Sequence, residues 1–145
     1  MATTRNVLAG YQDWSGPVVA GYYPKWIDNL ADDAILEGSL LDGPVLGAEA
    51  VRSIVIAIRS VYDRQQHKYA GPCGDSGFLE DYVAEIRGKP IGCVLLATRN
   101  AAGKIQHVVA SYRPRSSLIF LSRLLREKLV GTSYAEQFAA ATPED

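Results

Sequence analysis

Two histidines are the side chains of this sequence best suited to proton transfer near neutral pH. His107 lies in the stretch GKIQHVVASYRPRSS, where the neighbouring apolar residues are typical of a β-strand. It is a candidate acid or base, but a strand residue of this kind can equally lie on the surface of a sheet. His67 is near the start of an earlier predicted strand, and we predict that it is exposed.

The spacing of the cysteines and histidines does not predict a metal site. Cys73 and Cys93 are twenty positions apart with no Cys-x-x-Cys spacing, and the histidines form no His-x-x-x-His or Glu-x-x-His pair. We expect two buried thiols, no metal and no other cofactor. Arg113 and Arg115 could bind a phosphate or carboxylate bidentately, but ion pairs within the protein are the commoner use of such residues.

The composition is that of one globular domain. Of the 145 residues, 48% are hydrophobic, which is enough to fill a core, and 15 basic and 16 acidic residues give a net charge of -1. This balance gives no electrostatic reason to expect binding to nucleic acid or to an anionic membrane. No apolar run approaches the roughly 18 residues of a membrane span, and the first residues do not resemble a secretory signal, so we expect a cytoplasmic protein.

One helix is clear in the first half of the chain, in the stretch AEAVRSIVIAIRSVYDR. Its apolar residues recur on one stripe: Val51, Ile54, Val55, Ile58, Val61 and Tyr62. Arg52, Arg59 and Asp63 are predicted to lie off this stripe. Glu49 falls in the first turn, where it complements the helix dipole. The pattern predicts a helix packed on a flat surface.

Weaker patterns precede this helix. Val7, Leu8, Tyr11 and Trp14 have helical spacing, but Gly10 interrupts them. The stretch PKWIDNL suits a short helix with proline in its first turn. ADDAILEGSLLDGPVLG is typical of a β-excursion, with Asp42-Gly43 as the turn.

Four strands and a final helix are predicted after residue 65. QHKYAG, FLEDYVAEIR, IGCVLLATR and KIQHVVASYR alternate as strands, and the short loops between them favour antiparallel hairpins. The run from Val94 to Ala97 is apolar on both faces, so we expect helices to cover one face and another cover, such as a partner subunit, on the other.

The last helix is predicted in SSLIFLSRLLREKLVG. Its stripe consists of Leu118, Leu121, Leu125 and Leu129. Ser116 or Ser117 is expected to cap it and Gly131 to end it, with the tail frayed or docked at the periphery. Helices followed by an antiparallel meander are the α+β pattern.

Three motifs in this order resemble the nuclear transport factor 2-like superfamily, which includes ketosteroid isomerases and polyketide cyclases. LADDAILEG resembles the segment that leads into its first strand, VLGAEAVRS the start of its third helix, and NAAGKIQHVV the turn into its last long strand. The resemblance implies one domain over residues 1–145, with a core at about 20–130. Its fold would be a cone-shaped, curved, mainly antiparallel sheet wrapped by helices, here with an added C-terminal helix. It also implies an apolar pocket and a homodimer formed through the convex sheet face.

The resemblance does not extend to the usual isomerase machinery. The position of the catalytic base falls on Gly38, which cannot take a proton. The position of the oxyanion-binding acid falls on Leu95 or Ala97, and that of the oxyanion tyrosine near Tyr11 or Trp14. We therefore do not expect a standard ketosteroid isomerase.

The resemblance implies a set of pocket residues on alternating strand positions. These are Trp26, Phe78, Tyr82, Cys93, Leu95, Val108, Ala110 and Tyr112. The tyrosines and the tryptophan suit either ligand contact or the core. The same alternation sends His107 to the opposite face, unless a bulge in the strand turns it inward.

Glu80 is the carboxylate implied to point into the apolar cone, where burial would raise its pKa and suit it to acid or base catalysis. It could instead lie in water at the rim or pair with an arginine. Asp42 is the second candidate, although Asp-Gly is also ordinary turn chemistry.

We therefore expect a cone that binds a small apolar molecule, with any reaction being metal-free acid–base chemistry. If the protein is an enzyme, this chemistry is that of an isomerase, lyase, cyclase or hydrolase. The alternative is a non-catalytic dimerisation or accessory module of the same fold.

Overall fold

A single curved sheet forms the centre of the protein. In the computed structural model, which describes residues 8–9 and 17–139, the strands are β1 (Leu30–Gly38), β2 (Val45–Leu46), β3 (Arg64–Cys73), β4 (Gly77–Ile86), β5 (Lys89–Arg99) and β6 (Ile105–Arg113). Their order across the sheet is β2-β1-β6-β5-β4-β3. Among the strands of residues 17–139, only β1 and β6 pair in parallel, so the predicted α+β fold with a mainly antiparallel sheet is confirmed.

Two α-helices accompany this sheet in the described part of the chain. They are α1 (Ala48–Ser60) and α2 (Arg115–Lys128), and short 3-10 turns occur at Lys25–Asn29 and Ala135–Gln137. The first of these turns follows Pro24, as predicted. Neither helix is long and apolar enough to cross a bilayer.

The core lies between α1 and the inner face of the sheet. Val51, Ile54, Val55 and Ile58 are at most 5% exposed, which confirms the predicted stripe of α1. They belong to one apolar cluster with inward-facing strand residues, and α2 adds Leu121 and Leu125, which are fully buried. Because α2 packs against α1, β5 and β6, it completes the wall on one side of the cone.

The predicted serine cap of α2 is wrong. The helix begins after Pro114 with no side-chain hydrogen bond at its first residues. The Ser117 hydroxyl instead donates a 2.6 Å hydrogen bond to the Pro90 carbonyl oxygen, which fastens the helix to the start of β5. Gly131 follows the helix with a positive φ of 88°, a conformation that favours glycine and suits the predicted stop.

Residues 134–139, which we call the C-terminal strap, place one side chain, Phe138, in the core. Phe138 is 2% exposed. The backbone N–H groups of Asp42 and Gly43 donate to the Gln137 carbonyl oxygen and to Gln137 Oε1, at 3.1 and 2.9 Å. Ala139 N–H also donates to Ser122 Oγ of α2 at 2.7 Å. The strap therefore joins the β1–β2 connection to α2.

Two other sequence predictions have different outcomes. Cys73 is exposed and Cys93 is buried, so the expectation of two buried thiols holds only for Cys93. The predicted helical pattern that contains Tyr11 and Trp14 lies almost wholly outside the described residues.

Gly38 ends β1 where the chain passes very close to β6. Its φ is 152°, and a Cβ atom there would overlap the carbonyl oxygen of Ala110. The next residue, Ser39, donates its N–H to that same oxygen at 3.1 Å. The backbone thus leaves no room for any side chain at position 38.

The substitution Gly38→Ala is expected to lower the free energy of unfolding by about 3 kcal/mol, because it adds both backbone strain and an overlap with β6. Urea denaturation followed by circular dichroism measures this loss. Gly43→Ala is the matched control, since Gly43 has open space around it and no positive φ. Equal effects of the two substitutions would contradict the close approach.

Candidate functional site

Alternating residues of β4, β5 and β6 point into the space enclosed by the sheet and α1. Tyr82, Cys93, Leu95, Val108 and Ala110 are between 0 and 5% exposed. Phe78 and Tyr112 are partly buried and pack on this core. The structure therefore brings the predicted pocket residues of these three strands to one side of the sheet.

Side chains fill most of the enclosed space. A cavity of about 10 Å³, room for about one water molecule, lies among Leu36, Gly38, Leu40, Ile58, Ala110 and Tyr112. Pockets for drug-sized ligands usually measure about 300–1,000 Å³. This cavity is far smaller than the apolar pocket expected from the sequence.

An ion pair lies inside the cone. Arg59, in the last turn of α1, is 6% exposed, and its Nη2 donates to Oε1 of Glu80 on β4 at 3.2 Å. Glu80 is 4% exposed. The prediction that Arg59 lies off the buried stripe is wrong, because the helix directs this guanidinium at the sheet.

His67 of β3 lies on the other oxygen of the same carboxylate. Its Nε2 is 3.4 Å from Glu80 Oε2, within the range of an ion pair, although the ring N–H is not aimed well enough for a hydrogen bond. The His67 side chain is 22% exposed, so the prediction of an exposed histidine is wrong. Its ring contacts Tyr22 and Tyr82, with centroid distances of 5.1 and 5.7 Å.

The ion pair controls the protonation of Glu80. Burial alone would raise the pKa of this carboxyl, but the contact with His67 and the charge of Arg59 outweigh burial and hold the pKa below its ordinary value of 4.5. The expected rise in the Glu80 pKa is therefore wrong. Near neutral pH the side chain is a carboxylate, which can accept or orient a proton but cannot donate one.

Aromatic rings surround the Arg59 guanidinium. Its Cζ is 4.6 Å from the ring centre of Tyr82 and 5.4 Å from that of Tyr22, distances that suit cation–π contacts. Arg59 Nη1 has no hydrogen-bond acceptor among residues 8–9 and 17–139. One donor of this buried cation is therefore available to another acceptor.

Three tyrosine hydroxyls meet beside the ion pair. Tyr62 and Tyr82 are 2.8 Å apart at their hydroxyl oxygens, and the Tyr112 side chain lies close enough to influence the pKa of Tyr62. Burial raises the pKa of all three phenols, so they stay protonated and act as hydrogen-bond donors. Burial also raises the pKa of the adjoining Cys93 thiol to about 11, which makes it a poor nucleophile.

Comparison with known proteins identifies the fold. No family model and no curated protein matches this sequence. A bacterial protein of cystatin-like fold from Silicibacter pomeroyi superimposes with a TM-score of 0.69 at 16% identity, over 79% of this chain and 83% of the other. A steroid delta-isomerase from Pseudomonas aeruginosa gives 0.67 at 18% identity over 72% and 77%. An NTF-2 like protein from Burkholderia xenovorans gives 0.51 at 17% identity over 62% and 73%.

This chain has the nuclear transport factor 2-like fold. The resemblance drawn from the three sequence motifs is thereby confirmed at the level of the fold. At these identities the likeness does not carry an activity with it. Within the nuclear transport factor 2-like cone, the side chains determine which chemistry is possible.

Trp26 and Phe78 form one aromatic corner of the cone. Their ring centres are 6.1 Å apart, and the Arg99 Cζ atom lies 5.5 Å from the centre of the Phe78 ring. Trp26 Nε1 is buried without a hydrogen-bond partner in the described part of the chain. This corner offers apolar surface with one free donor.

Asp42 lies away from the interior cavity of this nuclear transport factor 2-like chain. It is exposed and lines a cleft of about 300 Å³ between the β1–β2 connection, α2 and the C-terminal strap. The structure therefore does not bring Asp42 together with Glu80, and it gives this carboxylate no buried acid–base partner among the described residues.

His107 lies on the opposite face of the sheet from Val108 and Tyr112. It pairs with Thr98 of β5, and the register from there to Arg113 is continuous, so the bulge beside Thr98 does not turn it inward. Its Nε2 is 2.6 Å from Glu37 Oε2, and both side chains are more than 40% exposed. This arrangement fits a surface pair, not a group of the interior.

Two interior residues, Arg59 and His67, were not predicted from the sequence to lie in the cone. A signal for Arg59 was present, because it follows Val55 by four residues and precedes Tyr62 by three, which places it on the apolar stripe. The pattern of β3 was less informative, since Gln65 and Gln66 are both buried on adjacent positions. Candidate metal ligands do not cluster: no three His, Cys, Asp or Glu side chains within the described ranges could hold an ion.

A double-mutant cycle tests the interior ion pair. Arg59→Met alone is expected to cost about 3 to 5 kcal/mol of stability, because it leaves the Glu80 carboxylate buried without its partner. Arg59→Met/Glu80→Leu should recover most of this loss, since it removes both charges. Urea denaturation of the wild type, both single variants and the double variant measures the coupling. Additive losses would contradict the pair.

Proposed function

We propose that this protein binds a small molecule within the cone, with Arg59, Glu80 and His67 forming the polar end of the site. The observation that carries the proposal is the buried Arg59, which donates one hydrogen bond to Glu80 and leaves Nη1 without an acceptor in the described part of the chain. Buried polar groups in native proteins are nearly always satisfied. A bound oxygen acceptor would satisfy this one.

A contribution to stability does not by itself explain why Arg59, Glu80 and His67 lie together in the interior. A buried ion pair commonly stabilises a fold no better than well-packed apolar residues of similar volume. Here the pair is accompanied by an imidazole and three tyrosine hydroxyls on the concave side of a sheet. Charged and titratable groups gathered in a partly desolvated interior are characteristic of functional sites.

The geometry favours a largely apolar ligand that carries one oxygen acceptor, such as a carbonyl or a carboxylate. The acceptor would meet Arg59 Nη1, and the body would lie against Phe78 and Trp26. A steroid delta-isomerase shares the fold, which makes a cyclic ligand a reasonable choice for the first experiments. The cavity of about 10 Å³ lies beside Leu36 and Ala110 and is not lined by Arg59 or Phe78, so binding at this site requires side chains to move outward.

Any reaction at this site would be proton transfer, and no step of it needs a metal. His67 is the candidate acid or base, since it reaches both the surface and the interior cluster. Glu80 is its positioning carboxylate, which contact with His67 and the charge of Arg59 keep ionised by lowering its pKa. The neutral tyrosines would donate hydrogen bonds to charge that develops on a ligand oxygen. This assignment moves the acid–base role from Glu80 and Asp42 to His67.

Titration of the protein with 4-androstene-3,17-dione and with 2-naphthoate, followed by nuclear magnetic resonance, tests ligand binding. We expect shifts of the Arg59, Tyr82 and Tyr112 signals. Arg59→Met/Glu80→Leu should weaken binding at least tenfold, because it removes the ligand's polar partner. His107→Gln is the matched control on the other face and should change nothing. Shifts confined to the outer face, or none with either compound, would contradict the proposal.

A second candidate function is a non-catalytic accessory module that forms a homodimer. Two observations favour it: the interior cavity described above measures only about 10 Å³, and Leu79, Val94, Leu96 and Val109 form an apolar patch on the outward face of the sheet. Val94 and Leu96 are each 37% exposed. The patch fits the proposed dimer contact on the convex face, where a second copy would cover it.

The substitution Leu96→Lys is expected to convert such a dimer to a monomer, because a twofold contact would bring the two new charges together. Sedimentation velocity measures the change. Leu46→Lys is the control, since Leu46 is 66% exposed on the two-residue strand β2 at the sheet edge. A wild-type protein that sediments as a monomer at high concentration would rule the dimer out.

A further inference from the structure

Helix α2 carries an excess of positive charge. The helix contains Arg115, Arg123, Arg126 and Lys128 against one carboxylate, Glu127, a net charge of +3 from four cations and one anion. The whole chain has a net charge of -1. The basic residues are therefore concentrated on one element of an otherwise slightly acidic protein.

The turn between β4 and β5 extends this basic surface. Arg87 lines a groove of about 520 Å³ together with residues of the α2 region, three cations against one carboxylate in all: Phe120, Arg123, Leu124, Arg126, Glu127 and Val130. Lys89 lines a neighbouring hollow of about 290 Å³ that shares Phe120 with the groove. Its Nζ lies 5.4 Å from the centre of the Phe120 ring. The two hollows form one surface, which we call the α2 groove.

The floor of the α2 groove is apolar. Phe120 and Leu124 are half-buried at the edge of the core, each one position before the fully buried Leu121 and Leu125. Val130 is 76% exposed and is the most exposed of the large apolar residues in the described chain. An apolar floor with a cationic rim is complementary to a segment that has both apolar and acidic side chains.

We propose that the α2 groove binds an acidic amphipathic helix of a partner protein. A helix laid along the 14 residues of α2 would span about 20 Å, or nearly four turns, and could place apolar residues at i, i+3 and i+7 on Phe120, Leu124 and Val130. Its acidic residues would face Arg87, Lys89 and Arg126. Arg126 also donates to the Phe138 carbonyl oxygen at 2.9 Å, which positions it without neutralising its charge.

A peptide fits this surface better than other anionic partners. Nucleic acid would meet the cations through its phosphates and leave the apolar floor unused. A membrane-surface helix needs a broad apolar face, whereas the main apolar stripe of α2 is buried in the core. The α2 groove does not include the interior cluster, so this inference does not depend on the proposed small-molecule site.

Selection from a random peptide display library against the full-length protein tests the inference. We expect enrichment of peptides with Asp and Glu between apolar residues at helical spacing. Synthetic versions should bind more weakly as salt increases, because exposed charges are screened. Arg87→Glu/Lys89→Glu should weaken their binding at least tenfold, and Val130→Ser should also weaken it through the lost apolar contact.

The matched control is Lys25→Glu/Lys104→Glu, which changes the net charge equally at exposed positions elsewhere, and it should leave affinity unchanged. Circular dichroism verifies that each variant is folded, and Val130→Ser tests the groove even if the charge reversals unfold. Enrichment without acidic residues, or binding unaffected by all groove variants, would overturn the proposal. So would groove-dependent binding of duplex DNA or phosphatidylserine vesicles that is tighter than binding of the peptides.

Discussion

The ion pair between Arg59 and Glu80 ties α1 to β4 across the interior of the cone. Much of the surrounding arrangement depends on it: Tyr82 and Tyr22 lie against the guanidinium, and His67 lies on the second carboxylate oxygen. Two charges are desolvated together, so each is tolerated because the other is present. Such a pair tightens the geometry of the cluster, because a small displacement of α1 would leave both groups unsatisfied. The same constraint keeps Glu80 ionised.

The fold could be predicted from sequence patterns, because these patterns reflect the periodicity of helices and strands. The stripe from Val51 to Ile58 and the alternation from Phe78 to Tyr82 define which side of each element is buried, and three motifs in order indicated the superfamily. The site was harder to predict, since charged residues do not follow that periodicity. The sequence predicts Arg59 off the apolar stripe, which is the usual place of an arginine, since arginine is seldom buried. Its true environment depends on Glu80, which is 21 residues away in sequence and adjacent only in the folded sheet.

The close approach of Gly38 to β6 and the small size of the neighbouring cavity both affect the acid–base chemistry that the end of β1 could support. A side chain at position 38 would collide with Ala110, so an isomerase-type base cannot be restored there by a single substitution. Tyr112 and Ala110 occupy the neighbouring wall and leave a cavity of about 10 Å³. The polar groups gather instead toward α1, β3 and β4. The polar cluster of this protein therefore lies in a different part of the cone from the end of β1, where the usual isomerase base would be.

The C-terminal strap also has a consequence for biosynthesis. Phe138 belongs to the same core as Leu36 and Val45, yet it is synthesised about a hundred residues later. While the chain emerges from the ribosome, the sheet and α1 can form, but the apolar end beside Leu40 stays open until the strap arrives. During that interval the nascent chain exposes surface that chaperones bind. Premature stop codons shortly before residue 138 would produce a protein with nearly all of its secondary structure and an unsealed core.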